Sequence, residues 1–104
     1  MHDTAIYGSM TTEFQKWLSS SDNTTRHLVS ARLQKIESSG HLGQFRTLGH
    51  GLCELKWAIG LRVYFSVAAD ENGNLFVAIL GGGKNGQNRD IAKARAILER
   101  YRAD

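Results

Sequence analysis

The 104 residues, 41% apolar and 22% charged with a formal charge of +3, are expected to form one small globular domain with a modest core. No apolar run reaches the ~20 residues needed to cross a bilayer as a helix, and Met1-His2-Asp3-Thr4 lacks the basic start and apolar core of a secretory signal. The mild positive bias permits an acidic or nucleic-acid partner without requiring one. The lone cysteine, Cys53, excludes an internal disulfide and reads as a small buried thiol in a reducing compartment.

Residues 3–8 are expected to form a short first strand. Thr12-Glu13-Phe14-Gln15 fits a capping box, with Thr12 and Gln15 satisfying free backbone N–H groups reciprocally. Phe14, Trp17 and Leu18 then form one apolar stripe of a helix that Ser19-Ser20-Ser21 ends. Asp22 or Asn23 caps a second helix, in which Val29, Leu33 and Ile36 recur at helical spacing and Ser38-Ser39-Gly40 is the stop. Two helices joined this closely make an antiparallel hairpin that covers one face of a sheet.

Residues 40–51 read as an irregular, glycine-punctuated connection. Two strands follow around a turn near Ala58–Gly60. Cys53, Leu55 and Trp57 share an apolar face with Leu61, Val63, Phe65 and Val67, because successive strand side chains alternate. Glu54, Lys56, Arg62 and Tyr64 fall on the other face. That face is either an anion site or the wet side of a half-buried sheet. Asp70–Asn74 is a hairpin loop whose Asn-Gly supplies positive φ, and Leu75–Leu80 is an apolar run typical of an interior strand covered on both faces. Gly81–Gln87 breaks it. From Asn88 as N-cap, a last helix runs towards Tyr101, with Ile91, Ala94, Leu98 and Tyr101 on one side. Arg89, Lys93, Arg95, Arg100 and Arg102 occupy the remainder, as a solvated face or a nucleic-acid or partner surface. The order predicts an α+β fold over residues 1–104, an antiparallel sheet with helices packed against one face.

The glycine-rich loop is no Walker A motif, since Ala78 stands where the first glycine belongs and Asn85 follows Lys84. Lys84 nonetheless lies between a strand and a helix start, where free N–H groups favour anions; the alternative is a solvated lysine on a left-handed glycine turn. His2, His27, His41 and His50 have no partners at metal-ligand spacing, so no metal is expected. His50, between Gly49 and Gly51, is the histidine best placed as an acid or base, or else a surface-loop residue.

The ordered blocks Phe14-Gln-Lys-Trp-Leu18, Arg32-Leu-Gln-Lys-Ile36, Gly51-Leu-Cys-Glu-Leu-Lys56, Gly60-Leu-Arg-Val-Tyr-Phe65, Leu80-Gly-Gly-Gly-Lys-Asn-Gly-Gln87 and Asp90-Ile-Ala-Lys-Ala94 resemble the RelE/ParE toxin superfamily, and more narrowly its HigB-like addiction-module-killer branch. The resemblance implies a RelE-like antiparallel sheet with an N-terminal helical hairpin and a C-terminal helix. It implies a cytoplasmic toxin of a type II toxin–antitoxin pair, silenced by a small helix-turn-helix antitoxin through which operator DNA is engaged. Many such toxins are ribosome-dependent endoribonucleases acting on messenger RNA, without a cofactor. ParE-like members inhibit DNA gyrase instead, and a decayed toxin that only binds its antitoxin is a third outcome. Three positions depart from the usual pattern: Lys56 replaces an arginine, Leu61 an aromatic and Gly83 an aspartate. Lys56 keeps charge but loses bidentate geometry, and Gly83 removes a carboxylate beside Lys84.

RNA cleavage by 2′-hydroxyl attack needs a base, an acid for the leaving oxygen and positive charge on the phosphorane. Lys56, Arg62 and Lys84 are the expected catalytic cations, and a lysine crowded by cations can serve as base. Tyr64 is expected to stack on or hydrogen-bond a base, with Arg46, His50 and Gln87 as further substrate contacts.

Overall fold

A strand as apolar as Leu75–Leu80 must be covered on both faces, and the rest of the fold is arranged to do so. The computed structural model describes residues 6–70 and 73–103. Among these, the elements in order are β1 (Ile6–Met10), α1 (Thr12–Ser19), α2 (Asn23–Ser39), β2 (Phe45–Gly49), β3 (Leu52–Lys56), β4 (Arg62–Asp70), β5 (Gly73–Gly82) and α3 (Gln87–Ala103). The sheet order is β1-β5-β4-β3-β2. β1 lies parallel to β5 and every other pairing is antiparallel, so the sheet is mixed rather than purely antiparallel. The expected first strand is displaced towards Met10, and residues 3–5 lie outside the described residues.

The helices do not share one face. Phe14, Val29 and Ile36 of α1 and α2 pack on Leu55, Val63, Phe65 and Phe76. Ala94, Ile97 and Leu98 of α3 pack on the opposite face, against Leu52, Tyr64, Val77 and Ile79. The result is three layers with two cores. A register shift helps build the second one. Tyr64 pairs with Leu80 but Phe65 with Ala78, and this bulge puts both Ile79 and Leu80 on the α3 side.

Local signals set most boundaries. Asp22 caps α2 by accepting from the Thr25 amide at 2.8 Å, which holds its carboxyl below the usual range. Gly40, at φ 77°, closes the helix in the left-handed conformation. The α1 cap differs by one residue from expectation. Thr11, not Thr12, accepts from the Phe14 amide (3.0 Å), and its hydroxyl donates to the Ile79 carbonyl (2.7 Å), pinning α1 to β5. Gln15 reaches the Met10 carbonyl instead of completing a capping box. α3 begins at Gln87, which puts Asn88 inside the helix rather than at its cap. The 40–51 segment contains β2, an edge strand whose mostly exposed side chains offer no apolar alternation to read. The Ala58–Gly60 turn forms as expected, with Gly60 at φ 94°, and Gly73 at φ 135° supplies the positive φ of the β4–β5 connection. No helix among the described residues is long and apolar enough to cross a membrane.

The glycines after Leu80 answer a packing need. None of Gly81, Gly82, Gly83 and Gly86 has positive φ, so the left-handed turn is not formed. A Cβ on Gly81 would lie 2.4 Å from the Trp17 ring, and one on Gly82 would lie 2.2 Å from an Asp90 carboxylate oxygen. Gly83 meets nothing within 4 Å. Gly81→Ala is therefore expected to lower stability by about 1–3 kcal/mol, through displacement of Trp17 from the sheet, whereas Gly83→Ala stays within about 0.5 kcal/mol. Urea unfolding of the two variants tests this.

Candidate functional site

The β2–β3–β4 register sets Arg46 opposite Glu54 and Glu54 opposite Tyr64, with Lys56 opposite Arg62. All point to the α3 side of the sheet. This face is not wet. Glu54 is 0% exposed, and its carboxylate accepts from Arg46 Nε at 2.7 Å, Arg62 Nε at 3.1 Å and Gln87 Nε2 at 3.0 Å. The Arg62 side chain, 7% exposed, also donates to the Gly60 carbonyl at 3.0 Å. Arg46 keeps more than half of its side chain in solvent, so its pair with Glu54 is the weaker of the two. The carboxylate thereby joins two strands to the first turn of α3. Arg62 is accordingly a buried, paired cation and not the free phosphate ligand expected of it.

Tyr64 is fully buried, and its hydroxyl finds no hydrogen-bond partner among the described residues. It cannot stack on a base from this position. Burial first, and then the nearby Glu54 and Asp90 carboxylates, push its phenol up to about 12. His50 is also misplaced for the expected role. It occupies the β2–β3 turn at φ 53°, at the opposite end of β3 from Lys56, where its carbonyl accepts from Arg102 at 3.0 Å. Arg95 donates to the Gly49 carbonyl (3.0 Å) and the Leu48 carbonyl, and Arg100 pairs with Glu13. The basic helix thus directs three of its arginines at its own fold, and only part of the face expected to be solvated is free.

The groove that does unite the expected cations lies at the other end of the hairpin. It has a volume of about 490 Å³ and is lined by Lys56, Lys84 and part of Arg62, together with Gln44, Trp57 and the Ala58–Gly60 turn. Lys56 is the last residue of β3, fixed by its amide to the Gln44 carbonyl (3.1 Å) and by its carbonyl to Arg32 (2.6 Å). Lys84 is held beside the turn: a Cβ on Gly60 would lie 3.4 Å from that of Lys84. Both lysines are exposed, and no ion pair among the described residues engages them. Among the described residues no carboxylate lines the groove. Two ammonium groups in an open concavity without a counter-charge suit an anion such as a phosphodiester. Gln87 touches the groove only indirectly, through Glu54 and Arg62.

Three lining features carry no signal in the sequence. Trp57 and Gln44 follow no motif, and Ile59 is 72% exposed. Behind them stands Arg32, whose guanidinium donates to the carbonyls of Leu42, Gln44 and Lys56 and lies 4.4 Å from the Trp57 ring centroid. Burial pushes the Arg32 guanidinium below its ordinary value. A signal for it existed: Val29, Arg32, Leu33 and Ile36 complete the i, i+3, i+4, i+7 stripe, so this arginine faces inward.

Two expectations follow. Glu54→Ala leaves Arg62 buried without its partner and is expected to cost about 3–5 kcal/mol in urea unfolding, with Glu54→Gln costing less because an amide still accepts from Arg62. Tyr64 keeps its proton in the fold to higher pH than in the unfolded chain, so its contribution to stability is complete below pH 10 and is lost as pH rises to about 12. The loss across that window is roughly 3 kcal/mol. Tyr64→Phe should remove that part of the alkaline decline and, lacking an unpaired hydroxyl, be at least as stable at neutral pH; parallel unfolding curves from pH 8 to 12 would show it.

No family model matches the chain. It is 29% identical over 92 residues to an uncharacterized protein of Haemophilus influenzae, an alignment spanning 86% of this chain and 89% of that one. Among solved structures it resembles one chain of the RelB–RelE antitoxin–toxin complex from Methanococcus jannaschii, with a TM-score of 0.59, 9% identity, and coverage of 78% of this chain and 95% of that chain. At that identity the likeness concerns the backbone, and the fold is RelE-like.

Proposed function

We propose that this protein is the toxin of a type II toxin–antitoxin pair and that it cleaves translated messenger RNA at the ribosome as a metal-independent endoribonuclease. The observation that carries this reading is the convergence of Lys56 and Lys84 on one open, carboxylate-free groove. The RelE-like fold, shared with a chain from an antitoxin–toxin complex, adds support, as do the sequence blocks that surround both lysines. The HigB-like assignment rests on those blocks alone.

In this scheme a 2′-hydroxyl attacks the adjacent phosphorus, its proton passes to a base, and the 5′-oxygen leaves with a proton from an acid. A 2′,3′-cyclic phosphate results. Lys56 and Lys84 hold the charge of the phosphorane, where preorganised cations contribute most. Proton transfer is divided between them, one lysine as the neutral amine taking the 2′-hydroxyl proton and the other as the ammonium protonating the 5′-oxygen, because Tyr64 is buried and His50 is distant. Arg62 and Gln87 act through Glu54, as positioning residues that keep the hairpin and the 83–87 loop together. Arg46 serves the same carboxylate from the β2 edge. The protein would work in the cytoplasm, held silent by a small helix-turn-helix antitoxin that also engages operator DNA.

A second reading, inhibition of DNA gyrase without nuclease activity, is favoured by one feature: the groove offers lysines but neither a histidine nor a carboxylate for acid–base work. Expression without antitoxin, followed by mapping of RNA ends, separates the two. Cleaved messages are expected, with Lys56→Ala and Lys84→Ala each reducing cleavage at least ~100-fold while remaining folded. Growth arrest with intact RNA and broken DNA would instead establish the gyrase reading.

A further inference from the structure

The groove has an aromatic wall that the cation chemistry leaves unexplained. Trp57 directly follows β3, and its backbone is locked across the turn, N–H to the Leu61 carbonyl and carbonyl from the Gly60 amide, both at 3.0 Å. Its ring is half-buried, with part of it packed on the α1–α2 core and part lining the groove beside Lys56. The Arg32 guanidinium, itself fixed by carbonyls on two segments, lies over the ring at 4.4 Å and holds its orientation. Next to it Ile59 projects 72% exposed from the turn. A fixed indole and an exposed aliphatic side chain, lining one groove with two exposed ammonium groups, match the alternation of flat base and phosphate along a nucleic-acid strand.

Resting on the reading of this groove as a nucleic-acid site, we propose that Trp57 is its base-contacting wall. One unstacked nucleobase of a single strand packs on the indole while the adjoining phosphates meet Lys56 and Lys84. Duplexes are excluded, because their bases present no face to such a wall. An acidic peptide would satisfy the lysines but leave Trp57 and Ile59 without a flat apolar partner, so the strand is the better match.

Fluorescence titration tests this without any need for cleavage. The chain has two tryptophans, and Trp17 lies on α1 outside the groove, so Trp17→Phe leaves Trp57 as the reporter. The probe is a 2′-deoxy hexanucleotide, which lacks the attacking hydroxyl and cannot be cut, beside a strand of equal length and charge whose sites are abasic. The hexanucleotide is expected to quench Trp57, and Trp57→Ala to weaken its binding, read by anisotropy of a labelled strand, about 5- to 100-fold. Trp57→Phe should retain most of the affinity. The abasic strand should bind the wild type more weakly and be insensitive to Trp57→Ala. Equal binding of the two strands by the wild type, equal binding of the hexanucleotide by wild type and Trp57→Ala, or quenching by oligoglutamate in place of the hexanucleotide would each overturn the proposal. The two-strand comparison needs no variant, so a misfolded Trp57→Ala does not remove the test. Base-dependent binding with no RNA cleavage in cells would leave this inference standing and sink the nuclease reading.

Discussion

Burial of the Glu54 carboxylate is the constraint on which the rest of the arrangement depends. A carboxylate removed from water is tolerated only with charged or hydrogen-bonding partners on its oxygens. Here those partners are recruited from β2, β4 and the start of α3. Satisfying that one group ties the first turn of α3 to the sheet, adds a side-chain link to the β2 edge, and engages Arg62. Arg62 is neutralised by the same contact that places it, so the fold uses its charge for architecture.

Of the three cations expected at the site, Lys56 and Lys84 remain exposed, and each is presented by a different device. Lys56 sits at a strand end whose backbone is clamped by Gln44 and Arg32. Lys84 follows a strand end in which Gly81 and Gly82 let Trp17 and Asp90 approach closely, one from each face. Arg32 secures the first of these, since it fixes the 42–44 segment, the end of β3 and the Trp57 ring at once. The site is thus built from backbone ends held by hydrogen-bonded arginines, with exposed lysines at the surface.

Much of this was legible. The two N-terminal helices, the Gly40 stop, the β3–β4 alternation and the interior character of β5 follow from periodicity and capping chemistry, which act within a few residues. β2 was not legible, because an exposed edge strand carries no apolar alternation. The expectation of every helix on one face conflicts with the apolar character of β5, which demands cover on both sides and hence a second layer. Tyr64 and Arg62 are buried rather than open to a ligand, because alternation assigns a side chain to a face but says nothing of what covers that face.

The sequence by itself determined the kinds of elements other than β2, the pairing of β3 with β4, the shared face of Glu54, Lys56, Arg62 and Tyr64, and the presence of Lys84 beside a helix start. Those are consequences of local geometry and of a two-residue period. Only the tertiary structure decided which of these groups meets solvent. The partner of Glu54 that joins α3 to the sheet, Gln87, is 33 residues away, and the helix that buries Tyr64 is contributed by the last part of the chain. Whether a charge is free depends on such distant neighbours, because desolvation and pairing are set by everything packed around a group and not by its place in a strand.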